Sequence, residues 1–240
     1  MNTFSITDTG RVRSSNQDCV YCEENAVGNF PNLFLVADGM GGHRAGDTAS
    51  RMCIDVVVDQ IRNTKLTTPV GVFEEAVDAA NMAIYKQSMS HAELEGMGTT
   101  LVCATVMGRT AYVGNVGDSR LYQLRSSLKQ ITVDHSLVEE MVKSGEIQKE
   151  EMRTHPNKNI ITRALGTDVA VRLDCFEIEV QEGDVLLLCS DGLTNMLEDE
   201  EIEKILNEHK SDMKEAGRLL VEQANRAGGK DNISVVLVQL

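Results

Sequence analysis

No hydrophobic run in this chain reaches the roughly eighteen residues that a membrane-spanning helix needs. Met1 to Gly10 has neither the basic start nor the apolar centre of a secretion signal. A cytoplasmic protein without a membrane partner is therefore expected. Proline is scarce, at 3 residues in 240, and no low-complexity tract, internal repeat or linker interrupts the chain. That composition excludes a disordered architecture and fits one globular domain over residues 1–240. Basic charge is also in deficit, because 23 Lys and Arg face 37 Asp and Glu for a formal net charge of −14. Such a chain repels nucleic acid and anionic membranes. It repels phosphorylated substrates too, so chemistry on phosphate would require bound cations or a placed arginine.

Other signatures are incomplete. Cys19-Val-Tyr-Cys22 lacks the second pair of a structural zinc site, and in a strand-like segment residues three apart point to opposite faces. Cys53, Cys103, Cys175 and Cys189 lie mostly in apolar runs, where reduced cysteine packs as a small hydrophobe, and no disulfide is expected. Gly228-Gly229-Lys230 lacks the earlier glycine and the hydroxyl residue of a phosphate-binding loop, and Met40 to Gly46 misses the spacing of a dinucleotide loop.

What the chain does contain is a set of short apolar runs that meet aspartates. Leu33 to Ala37 precedes Asp38, Ala111 to Gly117 precedes Asp118, Val185 to Ser190 precedes Asp191, and Asp231 precedes Ile233 to Leu240. Anions about 4 Å apart at an effective dielectric near 20 repel by roughly 4 kcal/mol per pair. Buried strands that deliver several carboxylates to one place therefore require divalent cations bound by oxygen. The pattern points to a metal-dependent hydrolase.

Phe4 to Thr9, Cys19 to Glu23 and Leu33 to Ala37 read as strands, the third closed by a turn at Asp38-Gly39. The period then becomes helical from Ala45, with an apolar stripe through Ala49, Cys53, Val57 and Ile61, and a second helix carries Phe73 to Ile84. Thr99 to Met107, Thr110 to Val116 and Arg120 to Arg125 predict three strands in an antiparallel meander. Ser136 opens a short helix through Lys143, and polar Gly145 to Asn159 reads as an exposed excursion. Asp174 to Val180 alternates as a half-wet strand, and Val185 to Cys189 is central. Helices near Glu198 to Leu206 and Ser211 to Ala227 precede a last strand. Strands, paired helices, strands and helices again predict an α+β fold, a four-layer α-β-β-α sandwich of two mostly antiparallel sheets flanked by helices.

The blocks Arg13-Ser14-Ser15-Asn16-Gln17-Asp18, Val36-Ala37-Asp38-Gly39-Met40-Gly41-Gly42-His43, Gly98-Thr99-Thr100, Gly114 to Arg120, Ser190-Asp191-Gly192 and Gly229-Lys230-Asp231-Asn232 run in order along the chain. Together they resemble the metal-dependent serine/threonine protein phosphatases of type two C, in their compact bacterial form. That resemblance implies that Asp38 bridges two manganese or magnesium ions, that Gly39 offers its carbonyl, and that Asp191 and Asp231 complete the catalytic set. It further implies a third ion shared by Asp118 and Asp191, Arg13 as the phosphate-binding side chain, and Asp18 as a partner for metal-bound water. The implied nucleophile is a water shared by the cations, without a phosphoenzyme.

Many eukaryotic members carry a histidine two residues after the bridging aspartate, proposed as the leaving-group acid. Here that position is Met40, and His43 reads as structural at the start of the helix from Ala45. Asp134-His135-Ser136 and Ile161 to Gly166 also resemble family blocks, and they bracket a flap at about 137–160. The implied activity is hydrolysis of phosphoserine and phosphothreonine on cytosolic proteins by a monomer that opposes a serine/threonine kinase. Alternatives are an inactive phosphatase-like binding module, or a phosphatase of anti-sigma-factor antagonists or small phosphoesters.

Overall fold

The structure is a computed structural model, described here over residues 1–41 and 45–240. Strands β1 (Asn2–Asp8), β11 (Ile233–Gln239), β10 (Val185–Cys189), β7 (Arg120–Leu124) and β8 (Leu128–Gln130) form one antiparallel sheet in that order. The other contains β2 (Asp18–Glu23), β3 (Leu33–Met40), β5 (Leu101–Met107), β6 (Thr110–Val116) and β9 (Asp174–Glu179). The two-residue β4 (Gly98–Thr99) pairs with the end of β3. Helices α1 (Ala45–Asn63) and α2 (Pro69–Ser90) cover this second sheet. Helices α4 (Asp191–Thr194), α5 (Asp199–Glu208) and α6 (Met213–Arg226) cover the first. The α-β-β-α order is the one that the sequence pattern predicts.

Period-two alternation explains why there are three cores rather than one. In β3, Leu33, Leu35 and Ala37 face the α1–α2 layer, while Phe34 and Val36 face the opposite sheet. In β10, Val185, Leu187 and Cys189 face α5 and α6, while Leu186 and Leu188 enter the space between the sheets. A strand covered on both faces has to be apolar throughout, which is why these runs show no polar alternation. Cys19 and Cys22 of β2 pack into different cores, as their spacing requires, and all six cysteines are unpaired.

Helix ends follow local chemistry. Proline opens α2, where its missing N–H costs nothing. The Ser136 side chain accepts the Glu139 N–H at the head of α3 (Leu137–Ser144), and Gly145 ends it with φ +80°.

Two expectations need correction. Strand β3 does not end in a turn at Asp38-Gly39 but continues to Met40, because β4 supplies a partner for its last residues. The run from Thr99 to Arg125 is not a meander: β5 and β6 form a hairpin, but β7 leaves for the other sheet, and Gly117 at φ +108° makes the crossing. Asp191-Gly192 forms the first turn of α4. The short β8 lies in a stretch to which the sequence assigns no element, and a 3₁₀ segment over Lys149–Thr154 lies within the expected excursion. Both are too short for a periodic signal.

Replacing Leu186 or Leu187 by alanine should each cost about 2–5 kcal/mol, since each fills a different core. Glu177→Ala on the wet face of β9 should stay within about 0.5 kcal/mol. Urea unfolding measures all three, and a neutral Leu187→Ala would contradict the two-sided burial of β10.

Candidate active site

At one end of the sandwich, the faces that meet between the sheets change from apolar to polar in register. Val36 is followed on its face by Asp38, Val20 is preceded by Asp18, Val102 by Thr100, Leu121 by Ser119 and Val236 by Ser234, while Leu188 is followed by Ser190. The pairing Asp18↔Asp38 lies directly across β2 and β3. These side chains are where the middle core would continue if it were apolar. Beyond them opens a cleft of about 450 Å³, walled by Asp38, Gly39, Met40, Asp118, Asp191 and Asp231. Asp18 lies beneath it, 5% exposed.

The carboxylates reach this place by different local means. Asp38 rides on the last turnless stretch of β3, its N–H donating to Thr100 Oγ1 at 3.0 Å and its carbonyl accepting the Thr100 N–H at 2.9 Å. Asp118 is carried on the crossing between the sheets. Asp191 heads α4, and Asp231 precedes β11 on the loop from Gly228. Two close approaches require glycine. A Cβ on Gly39 would come within 2.0 Å of the Gly46 carbonyl oxygen, and one on Gly192 within 1.9 Å of the Asn232 carbonyl oxygen.

Without cations this cluster holds protons. Burial, followed by repulsion from Asp18, Asp191, Asp118 and Asp231, pushes Asp38 well above the usual carboxylate range. Burial and then Asp191 raise Asp118 to about 8. Burial raises Asp18 to about 7 against the hydrogen bonds from Ser234 and Ser190, and burial with Asp231 raises Asp191 to about 6 against a hydrogen bond with Asp38. Asp18 Oδ1 has no hydrogen-bond partner at all. Local cations relieve the set only in part, Arg120 and Arg13 lowering Asp191 against the larger effect of burial. Arg120 is committed to Asp134 through both carboxylate oxygens and to the Tyr122 hydroxyl, and Arg13 to Asp231 at 2.6 Å.

Buried oxygen donors with raised proton affinity and an orphaned carboxylate oxygen fit hard divalent cations. Among the described residues, no three His, Cys, Asp or Glu side chains close into a ready cage. A cation here would therefore keep much of its water.

Every site residue expected from the sequence lies at or directly beneath the cleft, while His43, expected to be structural, lies outside the described residues. Arg13 pairs through its guanidinium with Asp231. Sequence reasoning missed the residues that hold the carboxylates. Asn195 Nδ2 donates to Asp191 Oδ2 at 2.8 Å from one turn further along, a spacing visible only once Asp191 is recognised as helical. Ser190 donates to Asp18 Oδ2 at 2.7 Å. Asn232 ties down the loop of Arg13, accepting the Gln17 N–H and donating to the Thr9 and Ser15 carbonyls.

Comparison with known proteins decides what this geometry belongs to: the protein phosphatase 2C family profile matches residues 10–237. The chain belongs to that family. It is 44% identical over 238 residues to the serine/threonine phosphatase stp of Listeria monocytogenes, covering 97% of this chain and 93% of that one. The Streptococcus agalactiae serine/threonine phosphatase superposes with a TM-score of 0.91 at 37% identity, covering 100% and 99% of the two chains. The catalytic domain of the serine/threonine protein phosphatase PstP, in complex with two manganese ions, superposes with a TM-score of 0.86 at 35% identity, covering 99% and 97%. This phosphatase 2C chain is a metal-dependent serine/threonine protein phosphatase that acts on phosphoproteins.

The raised carboxylates set a sign for stability without metal. A carboxyl whose folded pKa exceeds its unfolded value near 3.9 contributes stability below that pH, and the contribution is lost as pH rises through the folded value. The metal-free protein should therefore lose thermal stability from about pH 4 to 8, the window ending at the values near 6, 7 and 8 of Asp191, Asp18 and Asp118. Manganese should raise the melting temperature more at pH 8 than at pH 5. Melting curves in chelator and in manganese test both, and a manganese effect independent of pH would refute the assignment.

Proposed function

We propose that residues 1–240 act as one catalytic domain in which Asp38, Asp191, Asp231 and the Gly39 backbone hold two divalent cations. Either manganese or magnesium suits these donors, and Asp118 with Asp191 takes a third. The observation that carries this reading is the convergence, at one end of the sandwich, of carboxylates from four separate segments with too few cations of their own. When bound, paired cations supply an activated water and neutralise the phosphoryl oxygens.

The chain's own residues do the rest. Asn195 orients Asp191, Thr100 fixes the backbone of Asp38, and Asp18 stands beneath the cleft with one free oxygen to receive a hydrogen bond from water. Arg13 uses only Nη2 on Asp231, so its other donors remain for a phosphoryl group without breaking that pair. Lys158 and Lys230 join Arg13 on the cleft wall, giving the phosphate a local positive rim on a molecule of formal charge −14. Met40 lines the cleft, and its thioether has no proton to give, so the departing Ser or Thr oxygen takes its proton from water.

The flap is assigned to residues 137–160. Its 3₁₀ segment is fastened to the site through Arg153, which donates to the Thr194 carbonyl at 2.8 Å and pairs with Glu198 at 2.9 Å. Lys158 and Asn159 then reach the cleft, a placement from which they select the peptide around the phosphoresidue. A serine/threonine kinase acting on the same proteins is the implied partner. The net charge supports a monomer. Among the described residues no helix is long and apolar enough to cross a membrane, which supports action in the cytoplasm.

Asp191→Asn should lower kcat/KM on a phosphopeptide by at least about a hundredfold, some 2.7 kcal/mol at 1.36 kcal/mol per tenfold. Phosphate release with added manganese measures it, and equal rates for the two proteins would eliminate the mechanism. Arg13→Ala should raise KM for the same peptide by about tenfold with a smaller effect on kcat. An unchanged KM removes Arg13 from phosphate binding.

A further inference from the structure

The crossing that carries Asp118 is gripped by side chains the reaction itself does not use. The Gly117 N–H donates to His135 Nδ1 at 2.9 Å, and the Gly117 carbonyl accepts the His135 backbone N–H at 2.9 Å. Both main-chain polar groups of one residue thus close on His135. Because an amide N–H can only donate, Nδ1 must carry the lone pair and Nε2 the proton. Nε2 faces Asp174 Oδ2 at 3.1 Å, and Arg163 holds the other oxygen of Asp174 at 2.7 Å while donating to the Arg172 carbonyl at 3.0 Å. His135 is 7% exposed, and burial lowers its pKa, which favours the neutral ring.

The other side of the crossing has no slack. A Cβ on Gly117 would fall 2.6 Å from Thr100 Cβ, and Thr100 Oγ1 bonds Ser119 Oγ at 2.8 Å. The His135 carbonyl also accepts the Thr162 N–H at 2.8 Å, so the root of segment 137–160 is tied to the same residue.

We propose that His135, kept as its Nε2-protonated tautomer by Asp174 and Arg163, is a positioning residue that sets the Gly117–Asp118 crossing and thereby where the Asp118 carboxylate stands in the cleft. Its consequence for cation binding rests on the reading that Asp118 holds the third ion; the geometry of the grip does not.

Long-range proton–nitrogen spectra of the full chain should show a lone-pair Nδ1 and a protonated Nε2 on His135, with the Gly117 amide protected from hydrogen exchange. Asp174→Asn no longer forces the proton onto Nε2. It should lower Gly117 protection by about tenfold and weaken the loosest manganese site in a calorimetric titration by a similar factor. His135→Leu should do the same, whereas His135→Asn, which places a carbonyl oxygen where Nδ1 stood, should restore most of both.

A native His135 protonated on Nδ1 overturns the proposal. So does a His135→Leu protein with wild-type Gly117 protection and manganese isotherm. Should His135→Leu fail to fold, Asp174→Asn and the spectrum of the unaltered protein decide the matter. Asp118→Asn separates the two readings. If it leaves the manganese isotherm unchanged, the third ion is refuted, while Gly117 protection still tests His135.

Discussion

Mutual repulsion among buried carboxylates is the constraint on which the rest of this structure depends. At about 4 Å and an effective dielectric near 20, each unpaired contact costs roughly 4 kcal/mol. The fold nevertheless brings Asp18, Asp38, Asp118 and Asp191 together over a sealed apolar core. A polypeptide can tolerate that arrangement in two ways, by keeping protons on the acids or by recruiting cations. The raised proton affinities describe the first state, and the proposed metal site uses the second. The site is in this sense a pre-organised deficit of positive charge, stabilised elsewhere by three well-filled cores.

Those cores also explain why the deficit is located where it is. The two sheets share an interior that stays apolar along Val36, Leu188, Val236 and Val102, and the same alternating faces present acids and hydroxyls one pleat further on. No separate scaffold is needed to aim the carboxylates, because strand register aims them. The hydroxyls of Ser190, Ser234 and Thr100 belong to this end for the same reason. They satisfy carboxylate and backbone groups that would otherwise be buried unpaired.

Electrostatics divides the molecule. The surface as a whole carries a large negative charge, yet the cleft wall gathers Arg13, Lys158 and Lys230. Long-range repulsion of phosphorylated partners is thus offset where it matters, at the approach to the site, and within a Debye length of about 8 Å at physiological salt the local signs dominate. Arg13 serves both sides of this balance, neutralising Asp231 and keeping donors in reserve.

Much of the candidate site was legible in the amino-acid order because four apolar runs each meet an aspartate at one end. Asp38, Asp118, Asp191 and Asp231 could be picked out before any coordinates, as could the layered α+β arrangement from its blocks of period two and period 3.6. Only the tertiary structure decided which strands share a sheet. The departure of β7 from its neighbour in sequence is what carries Asp118 into the cleft, and no local pattern marks it beyond one glycine. Only the structure could find Asn195 beside Asp191, or His135 and Asp174, 39 residues apart, closing on Gly117. Composition and periodicity report what each segment buries, because that is a property of the segment. Hydrogen bonds between segments depend on register and on sheet order, which exist only once the whole chain has packed.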